Sequence, residues 1–323
     1  MSLKRAAECI RRNNSFVITA HTSVEGDALG SELALYKLLK RLGKQAVIIN
    51  EDALPAEYVF LPGVQKIKIF NNATKAIKFD CFALVDCSDL SRCGKVSGID
   101  FRSKTVLNID HHISNSRFGD VNWVDPLASS ASEMVYRLFK EMRIPLDKDT
   151  AELLYVGILT DTGSFHYSNT TSNTHKVAAG LLKYGIDVAG IYREAYSNVP
   201  FSQMKRLGKA LSGIRRDSSG KIAWLSLKND FAGLKAKAFD LSEYLLSLMR
   251  SIKGIEVAVL FREGLPQKGK VRVNLRSQGL VDVNKVAACF FGGGHRTASG
   301  CTIAAKNKEA VSRVLSKIRE RLR

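Results

Sequence analysis

The chain has no CxxC pair among its six cysteines, Cys9, Cys81, Cys87, Cys93, Cys289 and Cys301. That argues against a closed zinc–sulfur site, and the thiols read as reduced, mostly core-filling residues. No apolar run approaches the ~20 residues needed to span a bilayer. The first twenty residues carry Lys4, Arg5, Arg11 and Arg12 with only a short apolar stretch behind them, so no secretory signal is visible and a cytoplasmic location is expected. There is no internal repeat and no low-complexity tract. Neither GxGxxG nor a Walker P-loop occurs, which removes support for a dinucleotide oxidoreductase or a P-loop NTPase. The aromatics form no regular stripe, so no extended base-stacking platform is expected, although one aromatic could still stack a base.

What is present is ordinary globular composition: 323 residues, 45% hydrophobic and 25% charged. That length points to two domains, each able to bury a core. Charge is distributed unevenly. Residues 1–185 hold 23 Lys+Arg and 20 Asp+Glu, whereas residues 186–323 hold 26 and 11. A basic C-terminal half suits an anionic ligand, though a solvated basic surface explains the charge equally well.

The N-terminal half alternates short apolar runs with helical spacing. Strands are expected at Ser15–Ala20, Ala46–Asn50, Cys81–Asp86 and Thr105–Asp110, with a helix over Leu29–Leu42 that stops at Gly43. Strands separated by helices imply a mainly parallel sheet. Further helical patterns cover Ser130–Met142, Asp149–Thr160, Ser172–Tyr184 and Val188–Tyr196. The pattern changes near Gly185 and Pro200. Beyond that point Ile222–Leu227, Glu256–Phe261 and Val271–Leu275 read as strands, with helices at Ser242–Met249 and Lys308–Arg321. The expected organisation is α/β throughout: a domain over 1–190, a linker over 191–202 and a smaller domain over 203–323.

Metal-binding side chains fall where these elements end. His21, Glu25 and Asp27 follow the first strand in HTSVEGD. Asp86 and Asp89 follow the next in LVDCSD, then come Asp110, His111 and His112 in NIDHH, and Asp161 in ILTDTGSF. Any one of these Asp residues alone reads as a cap or turn residue, and His21 alone as a core histidine. Delivered together to the carboxyl rim of a parallel sheet, they form a crowd that needs compensating cations. Mixed imidazole and carboxylate donors suit Mn²⁺, with Mg²⁺, Co²⁺ and Zn²⁺ as alternatives. Two such ions about 3.5–4 Å apart would activate a bridging water for attack on a phosphoryl centre. His166 and His175 read as packing and surface residues. In the C-terminal half, FGGGHRTASG (291–300) can bring backbone amides, His295 and Arg296 to a phosphate. The VRVNLRSQG stretch places Arg276 and Ser277 at the end of a strand. The plainer reading of the glycines is a tight turn.

With DHH at 110–112, the acid motifs before it and GGGH late in the chain, the sequence resembles the DHH phosphoesterase family with its DHH-associated C-terminal domain. The resemblance runs over roughly residues 10–305, and the GGGHxxASG ending is most similar to the nanoRNase/pAp phosphatase branch. It implies a parallel-sheet catalytic domain, a smaller substrate-binding domain and an active site in the cleft between them. The implied activity is hydrolysis of short oligoribonucleotides, pAp, or linear and cyclic dinucleotides such as pApA. One Mn²⁺ would be held by His21, Glu25 and Asp86, and the other by Asp27, Asp86, His111 and Asp161. His112 would face the scissile phosphate, with Asp110 orienting a histidine. Arg276, Ser277, Gly293, Gly294, His295 and Arg296 would hold the nucleotide, and a homodimer is compatible with the resemblance. Two positions depart from the family pattern: Glu25 replaces an aspartate ligand, and Phe291 stands at the first glycine of FGGGGH. Two other readings remain: an inorganic pyrophosphatase of the related two-domain type, and a nucleotide or RNA-binding protein whose hydrolysis has decayed.

Overall fold

The computed structural model describes residues 2–199, 201–227, 235–236, 239–263 and 269–322, and Pro200, the marker of the expected linker, lies outside them. The chain divides into two compact units, Met1–Ser197 and Asn198–Arg323.

The first unit contains α1 (Leu3–Arg12), β1 (Ser15–Thr19), α2 (Gly26–Arg41), β2 (Gln45–Asn50), β3 (Ile67–Ile69), α3 (Asn72–Lys75), β4 (Cys81–Val85), β5 (Thr105–Asp110) and β6 (Val121–Val124). Then come α4 (Ala131–Glu141), α5 (Lys148–Asp161), α6 (Ser172–Leu182) and α7 (Val188–Tyr196). Its six strands are parallel, in the order β3-β2-β1-β4-β5-β6. The chain leaves β1 toward β3 on one side and returns to β4 on the other. The order therefore reverses between β1 and β4, the kind of crevice where open α/β sheets bind ligands.

Both faces of this sheet are covered, which explains strands that read as continuous apolar runs. Phe16, Ile18, Ala83, Val85, Leu107 and Ile109 pack into one core with α2, α4 and α5. Val17, Phe82, Leu84 and Val106 face the opposite side, with Phe79, Val96 and Ile99. Caps start the helices where the sequence offers them: Ser130 Oγ accepts from Glu133 N at 3.0 Å, and an Asp147 oxygen accepts from Thr150 N at 2.8 Å.

Helices α2 and α5 cross closely because Gly30 has no side chain. A Cβ there would sit 2.4 Å from the Leu153 carbonyl oxygen and 3.3 Å from Gly157 N. Alanine is the better helix former by up to ~1 kcal/mol, but the clash is with helix backbone that cannot step aside. Gly30→Ala is therefore expected to destabilise the unit by roughly 1–3 kcal/mol, the overpacking range. Urea unfolding tests this, and an unchanged or higher midpoint would contradict the close crossing.

The second unit contains α8 (Phe201–Leu211), β7 (Arg215–Arg216), β8 (Ile222–Leu227), β9 (Lys235–Ala236), β10 (Phe239–Asp240), α9 (Leu241–Arg250), β11 (Val257–Arg262) and β12 (Lys270–Ser277). It ends with α10 (Val283–Ala288), β13 (Gly293–Gly294), β14 (Ala298–Ala304) and α11 (Asn307–Leu322). Its main sheet runs β13-β14-β12-β11-β8-β7, antiparallel except for the β8–β11 pair. Val257, Val259, Phe261, Val273 and Leu275 meet α10 and α11 on one face. Ala258, Leu260, Leu225 and Leu227 meet α8 and α9 on the other. The fold is mixed α/β in both units, as the alternating pattern predicts. No helix among the described residues is long and apolar enough to cross a membrane.

Candidate metal centre and nucleotide loop

The reversal between β1 and β4 brings the first unit's acids and imidazoles to one rim. His21 follows β1, Asp27 lies in the first turn of α2, Asp86 follows β4, His111 follows β5, and Asp161 ends α5. Asp86 adopts a left-handed backbone, φ +52°, a conformation aspartate tolerates better than most residues.

Asp86 is the hub. Its Oδ2 lies 3.3 Å from His21 Nε2, and its Oδ1 lies 3.4 Å from His111 Nε2 and 3.6 Å from His112 Nδ1. His111 Nε2 is also 3.7 Å from Asp161 Oδ2 and 4.0 Å from Asp27 Oδ2. Three carboxylates thus surround one imidazole edge. Ligand-capable atoms of Asp27, Asp86 and His111 all lie within 4.8 Å of one another, and the three residues are buried.

Each of these groups is fixed by what stands behind it. His21 Nδ1–H donates to the Thr22 carbonyl at 2.7 Å, which leaves Nε2 as the ligand-capable nitrogen. The Asp27 oxygens accept from the backbone N–H groups of Ala131 (2.7 Å) and Ser132 (2.8 Å) at the start of α4. The positive end of that helix favours the carboxylate, and two bonds leave lone pairs for a cation. His112 Nδ1 pairs with Asp110 Oδ1 at 2.7 Å, while Asn115 Nδ2 donates to Asp110 Oδ2 at 2.6 Å. Asp86, Asp110 and His112 also lie close enough to share an ion. The Asp110 oxygens and His112 Nδ1 are engaged with one another and with Asn115, so this trio reads as a hydrogen-bonded support.

Without a cation the cluster is electrostatically strained. Burial pulls His21 toward the neutral form, but the hydrogen bond and charge of Asp86 and the Thr22 carbonyl outweigh it and lift its pKa to about 9. Burial likewise opposes the charge on His111, and the carboxylates of Asp161, Asp86 and Asp27 raise it well above the ordinary value. Burial and the negative charge of Asp86 push Asp27 up to about 6. For Asp86 the penalty of burial is overcome by the attraction of the His111 and His21 imidazoles, which hold it well below the carboxylate range. Protons on the imidazoles here stand in for compensating positive charge. The fit to a divalent cation is good: buried Asp86 Oδ1 has no hydrogen-bond partner and faces an imidazole edge. The donors are nitrogen and oxygen, suited to a borderline or hard ion.

Glu25 lies exposed at the N-cap of α2, and its charge contributes to the raised pKa of Asp161. Asp89 is engaged as a cap, accepting from Ser91 N at 2.9 Å. His166 is exposed beside Tyr167, and His175 stacks on Phe165 at a centroid distance of 5.3 Å.

Several residues that sequence reasoning passed over support the centre. Asn115 also donates to Asn108 Oδ1 at 2.8 Å, and Asn169 Nδ2 reaches Asp161 Oδ2 at 3.2 Å. Glu32, fully buried in α2, accepts from Asn50 Nδ2 at 2.9 Å, and burial lifts its carboxyl to about 8 despite that bond. The sole hint of Glu32 in the sequence is an acid inside an apolar helical run. Asn115 and Asn169 leave no signal, since side-chain amides in loops are common.

In the second unit, β12 ends beside the hairpin made by β13 and β14. Gly293 pairs with Gly300 and Gly294 with Ser299, and His295 N donates to the Ala298 carbonyl at 2.7 Å to close the turn. The turn reading of the glycines holds at Gly294: its φ is +145°, and a Cβ there would sit 2.5 Å from the Ala298 oxygen. Gly293 is exposed, and a Cβ on it would approach only Asn284 Oδ1, at 3.8 Å. Ser277 N donates to the Thr297 carbonyl at 2.9 Å, and Ser277 Oγ is buried without a hydrogen-bond partner. Arg276 forms a two-pronged ion pair with Glu243 of α9, Nε–Oε1 2.9 Å and Nη2–Oε2 2.6 Å. A phosphate there would have to share that guanidinium. Arg296 Nη2 donates to the Gly279 carbonyl at 3.2 Å.

Comparison with known proteins follows the same division. Residues 15–158 match the model of the DHH family, N-terminal domain, and residues 231–323 match that of the DHHA1 domain. The bifunctional oligoribonuclease and PAP phosphatase NrnA of Thermus thermophilus is 33% identical over 306 residues, 94% of this chain and 89% of that protein. The Bacillus subtilis protein of the same name is 28% identical, covering 90% of each chain. The crystal structure of an exopolyphosphatase-related protein from Bacteroides fragilis superposes with a TM-score of 0.89 at 29% identity, covering 98% of this chain and 95% of that one.

Proposed function

The chain belongs to the DHH family, and on that premise we propose that it is a divalent-metal-dependent phosphoesterase hydrolysing small nucleotides. The observation that carries this reading is the convergence of Asp27, Asp86 and His111, buried and within 4.8 Å of one another, around an Asp86 oxygen with no hydrogen-bond partner. The proposed substrates are short oligoribonucleotides and pAp, in keeping with the activities named for the Thermus thermophilus and Bacillus subtilis relatives, or linear and cyclic dinucleotides such as pApA.

Two cations fit the donor count. His21, Glu25 and Asp86 would hold one, and Asp27, Asp86, His111 and Asp161 would hold the other, Asp86 contributing to both. Mn²⁺ suits this mixture best. Bound there, the cations supply Lewis-acid charge for hydrolysis at a phosphoryl centre. The chain's own groups do the rest. Asp110 accepts the Nδ1–H of His112, and it is as the imidazolium, with Nε2 also carrying a proton, that His112 donates to a phosphate oxygen or protonates the departing one. Arg276, Ser277, the amides of Gly293 and Gly294, His295 and Arg296 hold the phosphate and sugar. In the reaction water adds to phosphorus, the ester P–O bond breaks, and the leaving oxygen gains a proton.

A hydrolysis panel tests this: pAp, pApA, a short oligoribonucleotide, a cyclic dinucleotide and pyrophosphate, each with Mn²⁺ and with chelator. The expected result is Mn²⁺-dependent turnover of at least one nucleotide well above that of pyrophosphate. Preference for pyrophosphate would select the pyrophosphatase reading, and nucleotide binding without turnover would select the decayed binding protein.

A further inference from the structure

We propose that Phe291 is the stacking surface for a nucleobase of the substrate, a specificity-determining residue standing at the head of the glycine hairpin. The inference rests on the nucleotide reading above and assigns to this one side chain a base contact that the phosphate-holding residues do not make.

The backbone shows what the position requires. Helix α10 closes with Gly292 N donating to the Ala287 carbonyl at 3.0 Å and Phe291 N donating to the Ala288 carbonyl at 3.1 Å. Such a helix end places one residue in the left-handed region and ordinarily uses glycine or asparagine there. Phe291 occupies it with φ +56°, a conformation that a Cβ-bearing aromatic adopts only under strain. Glycine would fit this turn better, so the ring is not there for the sake of the fold.

Packing tells the same story. Phe290 and Phe291 are neighbours with opposite fates: Phe290 is 8% exposed in the core, with Arg313 over its ring, while Phe291 is 105% exposed. Burying a phenylalanine ring is among the larger apolar gains a fold can make, and here the unit forgoes it. The next turn of chain is the hairpin bearing exposed Gly293 and Arg296 and half-buried His295. Its tip is tied by Arg296 to Gly279, beside the exposed side chain of Leu280.

A second observation points to a ligand at this hairpin: Ser277 is 1% exposed and its buried hydroxyl has no hydrogen-bond partner, while its backbone N–H bonds to the Thr297 carbonyl. A flat apolar ring on the same short stretch of chain as the glycine amides, an imidazole and a guanidinium matches a ligand that carries both an aromatic face and an anion. A nucleotide has both. Base-on-aromatic stacking tolerates any base, so the ring would tighten nucleotide binding without reading sequence.

The test compares Phe291→Gly, Phe291→Leu and Phe291→Tyr in the metal-loaded protein. KM and kcat are measured for pApA and for the same sugar–phosphate diester lacking both bases. Loss of one stacking contact corresponds to about 5- to 150-fold in affinity. Phe291→Gly is expected to raise KM for pApA by that factor with kcat little changed, and to raise the melting temperature as the strain is relieved. Phe291→Leu, which keeps a Cβ and apolar bulk, should lose the same affinity, and Phe291→Tyr should retain it. The KM increase should be confined to the base-bearing substrate. A KM for pApA within twofold of the parent in Phe291→Gly overturns the proposal, as does an equal rise for the base-free diester, which would indicate loop shape. A change of oligomeric state with KM unchanged would also overturn it and assign the ring to a contact between chains. Absence of nucleotide turnover in the unsubstituted protein overturns the nucleotide reading itself, a result separable from any defect confined to the variants.

Discussion

Replacing Asp86 with alanine is expected to abolish metal-dependent hydrolysis, by at least about a thousandfold in kcat/KM, with the fold retained. Lewis-acid stabilisation is worth several kcal/mol at a phosphoryl transition state, and each 1.36 kcal/mol is a factor of ten. Asp86 touches His21 and His111 at once, so its loss opens both sides of the centre. Removal of Asp86 loses its attraction for His21 and His111 but also relieves its repulsion of the buried Asp27 and Asp161, and because these opposing changes offset one another the fold should survive. The paired measurements are turnover in Mn²⁺ and thermal unfolding of the chelated protein. Full activity in a well-folded Asp86→Ala protein would remove the metal centre from the argument, and His111→Ala offers an independent check.

The second large effect is pH dependence. In the cation-free unit His21 holds a proton up to about pH 9, against an ordinary value near 6.5. A raised histidine value stabilises the fold fully below about pH 6.5, and that contribution fades as pH climbs to about 9. It amounts to roughly 3 kcal/mol at most. A cation taking His21 Nε2 must displace the same proton. Divalent-ion affinity should therefore rise about tenfold per pH unit until about pH 9, with His111, also shifted upward, steepening the slope. Calorimetry at pH 7.5 in two buffers of different ionisation enthalpy should show proton release on Mn²⁺ binding. His21→Gln should release fewer protons and flatten the profile. Binding without proton release at that pH would mean that His21 is not a ligand.

How far the sequence reaches can be judged element by element. The strands β1, β2, β4 and β5 were legible because a parallel sheet covered on both faces turns each strand into an unbroken apolar run. By contrast, β3 and β6 are three and four residues long and β13 only two, too short for any period to register. Helix α1 has only four buried positions in a charged run, too few to mark it as an element in the sequence. In the glycine hairpin the sequence left a phosphate loop and a tight turn open together. The close approach of Gly294 to Ala298 makes the turn a steric requirement whatever else the loop does.

The order of residues by itself determined the fold class and the chemistry available. Apolar periodicity specifies which segments are strands, and a side chain's type specifies what it can bind, so His21, Asp27, Asp86, Asp110, His111, His112 and Asp161 could be named as candidates before any coordinates. Tertiary structure alone decided how those groups meet. Strand order, reversing between β1 and β4, brings Asp86 to within 3.3 Å of His21 and 3.4 Å of His111. It also places the start of α4 against Asp27, and Asn115 against Asp110. Distances between residues far apart in the chain are set by packing, and packing is a property of the whole unit that no local stretch of sequence contains.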